Sequence, residues 1–185
     1  MKLYKKMCLF LLSLVPLVSS SCQSSPVETR DYDDYVHTTV EDILRHVEDH
    51  YVVYLYRTKC GTCEEIKSSV FDFVDRQKSV DGGWRFYFLE YERKNENPSN
   101  DVLVNLTRHD DSLFVDETGE VPVGRYDEFF DDIRSKNVGV KDVREMTYYF
   151  TPTMYVVETD KTDGRHVVSD VVIESQNVLR WINER

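Results

Sequence analysis

The sequence predicts one α/β domain, with helices packed against a central sheet. Three observations point there. From residue 38 onward, apolar spacing switches repeatedly between the helical and the extended period. Tyr51–Tyr56 is an unbroken apolar run, as suits a strand covered on both faces. Cys60-Gly61-Thr62-Cys63 follows that run directly and opens a helical stretch. The length of 185 residues and the 41% hydrophobic content fit a single core and exclude global disorder, collagen-like repeats and a multi-span membrane protein. The balance of 23 Lys+Arg against 34 Asp+Glu gives a net charge of −11, which argues against nucleic acid as a partner because phosphates would be repelled.

The first 21 residues read as a signal peptide. Lys2, Lys5 and Lys6 precede Met7–Val18, an apolar run too short to span a bilayer, and Ser19–Ser21 lead into Cys22. Cys22 after small residues is similar to the cleavage site of bacterial lipoproteins, where that cysteine is lipidated; Ser19 stands where such sites usually carry Leu. Cleavage removes three lysines and no acidic residue, so −11 becomes −14. Residues 22–36 then read as a lipidated N-terminus and flexible tether, since Gln23–Asp34 is polar with one proline. The expected location is the outer face of the cell membrane, or otherwise the secreted fraction. Cys8 leaves with the signal, and the exported domain, 37–185, keeps one cysteine pair.

Within that domain Thr38-Thr39-Val40-Glu41 has capping-box spacing, and Val40, Ile43, Leu44 and Val47 continue it as an amphipathic helix. After the strand Tyr51–Tyr56, helical spacing returns at Ile66, Val70, Phe73 and Val74. Asp81-Gly82-Gly83 makes a turn into a second strand, Trp84–Tyr91. A loop around Pro98 and a hairpin about Glu117–Glu120 follow, then short helices at Tyr126–Ile133 and Val143–Tyr149. The second of these stops before Thr151-Pro152-Thr153, because the residue before proline disfavours helical geometry. Met154–Val157 and His166–Glu174 read as strands separated by Thr162-Asp163-Gly164, and Val178, Leu179 and Ile182 mark a closing helix.

One motif carries chemistry. A C-x-x-C pair between a strand and a helix is a redox signature. Cys60 falls at a helix N-terminus, where unpaired N–H groups and the macrodipole favour an anion. A contact of about 1–2 kcal/mol there lowers a thiol pKa by about one unit, since one unit is about 1.4 kcal/mol. The thiolate is the nucleophile of disulfide exchange, and Cys63, within one turn, can resolve the mixed disulfide it forms. Gly61 keeps the turn open to an incoming chain. Two other readings stand beside this one. The pair could be half of a zinc site, although four ligands are usual and the histidines show no ligand pairing. It could also be a structural staple, a poor one because so small a loop removes little entropy. Asp110, Asp111, Asp116, Glu117 and Glu120 lack calcium-loop spacing and read as a solvated face.

With strand, C-x-x-C, helix and a later T-P-T leading into a strand, the sequence resembles the thioredoxin-like family. The resemblance implies a central mixed β-sheet flanked by helices. It also makes Pro152 a cis-proline facing the cysteines, with Thr151 binding the partner's backbone. Gly61 and Thr62 complete the implied substrate-binding set, and Cys60 and Cys63 the catalytic pair. Pro152 lies 89 positions after Cys63 (152 − 63), which implies an insertion of about 50 residues, placed at 92–141. Lys59 stands where thioredoxins carry Trp and Tyr54 where they carry a buried Asp, so both are expected to tune the pair. No metal is expected, and no cofactor beyond the redox-active Cys60–Cys63 disulfide itself. The expected activity is extracytoplasmic thiol–disulfide exchange with client proteins bearing thiols or disulfides, compatible with a membrane redox partner and with a membrane anchor on Cys22. The alternative is a thioredoxin-like accessory module whose 92–141 insertion recognises one partner.

Overall fold

The computed structural model describes residues 29–90, 123–146 and 151–185. Four strands form one sheet: β1 (His50–Tyr56), β2 (Arg85–Glu90), β3 (Thr153–Thr159) and β4 (His166–Ile173), in the spatial order β2-β1-β3-β4. β1 runs parallel to β2 and antiparallel to β3, which pairs antiparallel with β4. The helices are α1 (Gly61–Lys78), α2 (Tyr126–Asn137) and α3 (Ser175–Asn183). The mixed sheet, the helices on both faces and the helix–strand order make this a thioredoxin-like fold.

Side-chain alternation divides the core. Val52, Tyr54 and Tyr56 of β1 join Phe86, Phe88, Met154 and Val156 against the buried faces of α1 and α3. Tyr51, Val53 and Leu55 face the other way, with Tyr155, Val157, Val171 and Ile173 against Phe129, Phe130 and Ile133 of α2. Every β1 residue from Tyr51 to Tyr56 is buried, as a strand covered on both sides requires. At the far end of α1, a Cβ added to Gly83 would meet the Gln77 carbonyl oxygen at 2.5 Å, so only glycine lets the chain turn so close to the helix.

The strands and α1 fall where the periodicity places them, while three other expectations are corrected. No helix spans Val40–Val47: a single 3₁₀ turn covers Val40–Asp42, with Thr39 rather than Thr38 at the N-cap position and no side-chain cap bond, and Val47 is 93% exposed. The reason is long-range. His37 bridges Phe88 of β2, with the Phe88 N–H donating to the Val36 carbonyl at 2.8 Å, and β1 begins at His50. The intervening chain must span between two strand positions, and its β-branched and threonine-rich sequence gives the helix little intrinsic support. The Val143–Tyr149 helix is likewise one 3₁₀ turn over Val143–Glu145, capped by Asp142, with residues 147–150 outside the described set.

The third correction concerns domain limits. Of the segment expected as tether, residues 29–36 dock on the fold. Tyr32 is 5% exposed and stacks on Tyr56 at 3.8 Å between ring centroids. Arg30 pairs with Asp72 and Asp75 of α1 at 2.8 and 3.1 Å, and Lys67 reaches Asp31 at 2.9 Å. Burial draws Tyr32 in, and an Asp31–Asp34 capping box shapes the turn around it. Of the region read as an insertion, 92–122 lies outside the described residues, as does the hairpin about Glu117–Glu120. The part from 123 onward contains α2, whose Phe129, Phe130 and Ile133 pack into the core on one side of the sheet together with Val40, Ile43 and Met146. After α2 the chain joins the β4 edge, with mutual bonds between residues 139–140 and Val168 at 2.8 and 3.0 Å. The signal segment 1–21 and Cys22 also lie outside the described residues.

Candidate functional site

The site is built where β1 ends and α1 begins. Residues 57–59 turn the chain, with Lys59 in the left-handed region at φ 63°. Cys60 is the N-cap of α1 in extended geometry, and its sulfur accepts the Cys63 backbone N–H at 3.2 Å. Cysteine thus occupies the capping position usually held by Ser, Thr, Asp or Asn, and the N–H donor that those residues satisfy points at sulfur. Cys60 and Cys63 form a disulfide with Cα atoms 5.2 Å apart. Cys60 is 4% exposed and Cys63 0%, so the first sulfur alone borders the surface.

A second strand approaches this sulfur from far along the chain. The Thr151–Pro152 peptide bond is cis, as the resemblance implies, and leads into β3. The Thr151 carbonyl oxygen lies 3.7 Å from the Cys60 sulfur, and the Thr62 hydroxyl donates to the same oxygen at 3.5 Å. That hydroxyl also sits 3.3 Å from the Cys60 sulfur. The structure therefore brings Cys60, Cys63, Thr62, Thr151 and Pro152 together. Gly61 is exposed, with open space where a Cβ would project. Lys59 is exposed beside Cys60, and Cys22 falls outside the described residues.

Charge around the pair is partly neutralised. Glu64 lies 3.5 Å from Lys67, whose ammonium also holds Asp31. The hydrogen bond from Lys67 and a backbone donor from Tyr32 keep the Asp31 carboxyl below its ordinary pKa. Tyr54 shares the apolar cluster of Cys63, and its hydroxyl is buried with no hydrogen-bond partner among the described residues. Burial drives the Tyr54 pKa well above that of a free tyrosine, so this position holds a neutral phenol rather than a proton-accepting carboxylate.

Sequence reasoning missed Tyr32, whose hydroxyl donates to the Cys63 carbonyl at 3.5 Å. The D-x-x-D spacing around it was the available signal. It also missed a cavity of about 210 Å³ beside the disulfide, lined by Thr62, Tyr126, Phe130, Pro152, Glu174 and Ser175. No sequence signal marks it, because its walls come from four separate segments. Among the described residues, no third His, Cys, Asp or Glu joins the cysteines in a metal-holding group.

No family model and no curated protein matches the chain. Among solved structures, it is similar to thioredoxin f2 of Chlamydomonas reinhardtii, at 11% identity and a TM-score of 0.40, over 81% of this chain and 94% of that one. The thioredoxin-like assignment stands on the strand order, the helix layers and the site geometry of this chain. A disulfide at the strand–helix junction of such a fold is a site suited to thiol–disulfide redox chemistry.

Proposed function

We propose that the chain is an extracytoplasmic protein thiol–disulfide oxidoreductase, held at the membrane by a lipid on Cys22. The observation that carries the redox part is the Cys60 sulfur, bonded by a helix N-terminal N–H and 3.7 Å from the carbonyl preceding cis-Pro152. The export part rests on the basic, apolar and small-residue order of the first 22 residues. The N–H that caps the helix favours the thiolate when the disulfide opens, and the Thr151 carbonyl offers the backbone acceptor for an extended client.

With the pair reduced, the Cys60 thiolate attacks a client disulfide. A Cys60–client S–S bond forms and one client thiolate leaves. The Cys63 thiol gives up its proton and attacks the Cys60 sulfur, reforming the Cys60–Cys63 bond and releasing the second client thiolate. The client gains two electrons and the protein loses them; the reverse sequence oxidises a client dithiol. No carboxylate stands at Tyr54 to take the Cys63 proton, which weighs against a general reductase and towards oxidation or isomerisation. Replacing Cys63 by Ser removes the resolving step. The C63S protein is expected to accumulate mixed disulfides through Cys60 in cells, visible as adducts on non-reducing gels and by mass spectrometry. Absence of adducts, with the protein exported and folded, overturns the redox reading.

A further inference from the structure

Resting on that redox reading, we propose that the cavity beside the disulfide is a client side-chain subsite selective for a cationic residue, lysine or arginine, flanking the client cysteine. Its volume of about 210 Å³ lies below the range of about 300–1,000 Å³ typical of small-molecule pockets and suits one side chain. Its position suits a client, because Thr62 and Pro152 belong both to its wall and to the surroundings of the Cys60 sulfur. A chain laid along the Thr151 carbonyl places a neighbouring side chain over this opening.

The lining chemistry selects a cation. Tyr126 and Phe130 stack at 5.7 Å between centroids with 27° between their planes, giving an aromatic wall for the aliphatic stem and the charged head of Lys or Arg. Tyr126 is 36% exposed and so forms the outer rim, while Phe130 is buried behind it. Glu174 supplies the charge. Its carboxylate is exposed and makes no ion pair or side-chain hydrogen bond among the described residues. Arg125, which precedes Tyr126 in the chain, has a carboxylate of its own in Glu128, at 3.4 Å. Thr62 and Ser175 add hydroxyls and no charge.

The backbone at Glu174 strengthens the assignment. It adopts φ 77° and ψ 147°, a region populated almost only by glycine, yet glutamate stands there and contributes no cap bond to α3. Its N–H donates to the Pro152 carbonyl at 3.0 Å, which ties the carboxylate-bearing residue to the cis-proline turn. A glycine would hold that bond without strain. Retaining a carboxylate at such a position is accounted for by a charge needed at the mouth of the site.

The test uses reduced protein and three probes at low salt: bis(2-hydroxyethyl) disulfide, and two peptides whose single cysteine carries a mercaptoethanol cap and is flanked by Arg or by Glu. The Cys60 thiolate displaces mercaptoethanol from each probe, and the rate of its release is read. The Arg peptide is expected to react at least ten-fold faster than the Glu peptide. Glu174→Gln is expected to cut that ratio to about two-fold, and Tyr126→Leu to lower the Arg rate alone. Glu158→Gln, which removes the same charge from the far end of β3, is expected to leave the ratio intact. Equal peptide rates, or a ratio that survives Glu174→Gln, overturn the subsite while the neutral probe still reacts. Failure of all three probes overturns the redox reading instead.

Discussion

Replacing Tyr32 by Ala is expected to destabilise the domain strongly, although the residue lies in a segment whose composition reads as tether. Its ring is 5% exposed, stacks on Tyr56 at 3.8 Å and meets Phe71 edge-on at 5.2 Å. Truncating a buried aromatic costs about 3–5 kcal/mol, from lost transfer energy and the cavity left behind. For a domain near 150 residues, each kcal/mol moves the melting temperature by about 2–4 °C, so a fall of about 6–20 °C is expected. Tyr32→Phe is expected to shift it by no more than about 3 °C, because the 3.5 Å bond to the Cys63 carbonyl is long and the stack survives. Arg30→Ala removes ion pairs in which both partners are substantially exposed, and such pairs contribute up to about 1 kcal/mol. Thermal unfolding followed by circular dichroism reads all three variants, together with chains starting at Thr29 and at Thr38. Equal melting temperatures for the two truncated chains, or a Tyr32→Ala shift under about 3 °C, would refute the docked segment. If it holds, and if Cys22 carries the proposed lipid, Thr29 lies within about 25 Å of the membrane, since seven residues span no more than about 3.6 Å each.

Other outcomes follow from the same geometry. Tyr54→Phe is expected to leave stability unchanged or raised, because it deletes a buried hydroxyl that lacks a partner among the described residues, and to leave the pH profile of exchange unmoved; a shifted profile would make that hydroxyl part of proton transfer. Gly83→Ala is expected to cost more than about 1 kcal/mol in urea unfolding, since its Cβ would sit 2.5 Å from the Gln77 carbonyl oxygen, and a neutral result would contradict the close approach. His46 stacks on Tyr87 at 3.5 Å, and burial lowers its pKa despite the opposing charges of Glu48 and Asp42, with His166 adding to the depression. A folded pKa below the unfolded value of 6.5 means that this stability is full above pH 6.5 and is lost as pH falls through the folded value. Melting temperature should therefore decline with acidification below about pH 6.5, and His46→Phe should flatten that part of the curve.

Much of the molecule is legible in one dimension because its signals are local. A run such as Tyr51–Tyr56, helical spacing from Ile66 to Val74, and a cysteine pair at their junction each depend on residues a few positions apart. A capped helix start beside sulfur follows from that order, and so does the candidate nucleophile. Other features have no local signature. The Thr39–Val47 stretch has helical spacing yet stays irregular, since pairing of His37 with Phe88 and the start of β1 set its two ends. Tyr32 looks like part of a polar linker until the groove beside α1 exists to receive it. The Thr151 carbonyl reaches the Cys60 sulfur from 91 residues away, and Glu174 meets Tyr126 and Pro152 across a cavity that no single segment encloses. Residue order specifies which chemistry the chain can present. Burial and strand pairing between distant segments decide where that chemistry meets a partner, because the free energy of those contacts belongs to pairs of residues that sequence separation does not reveal.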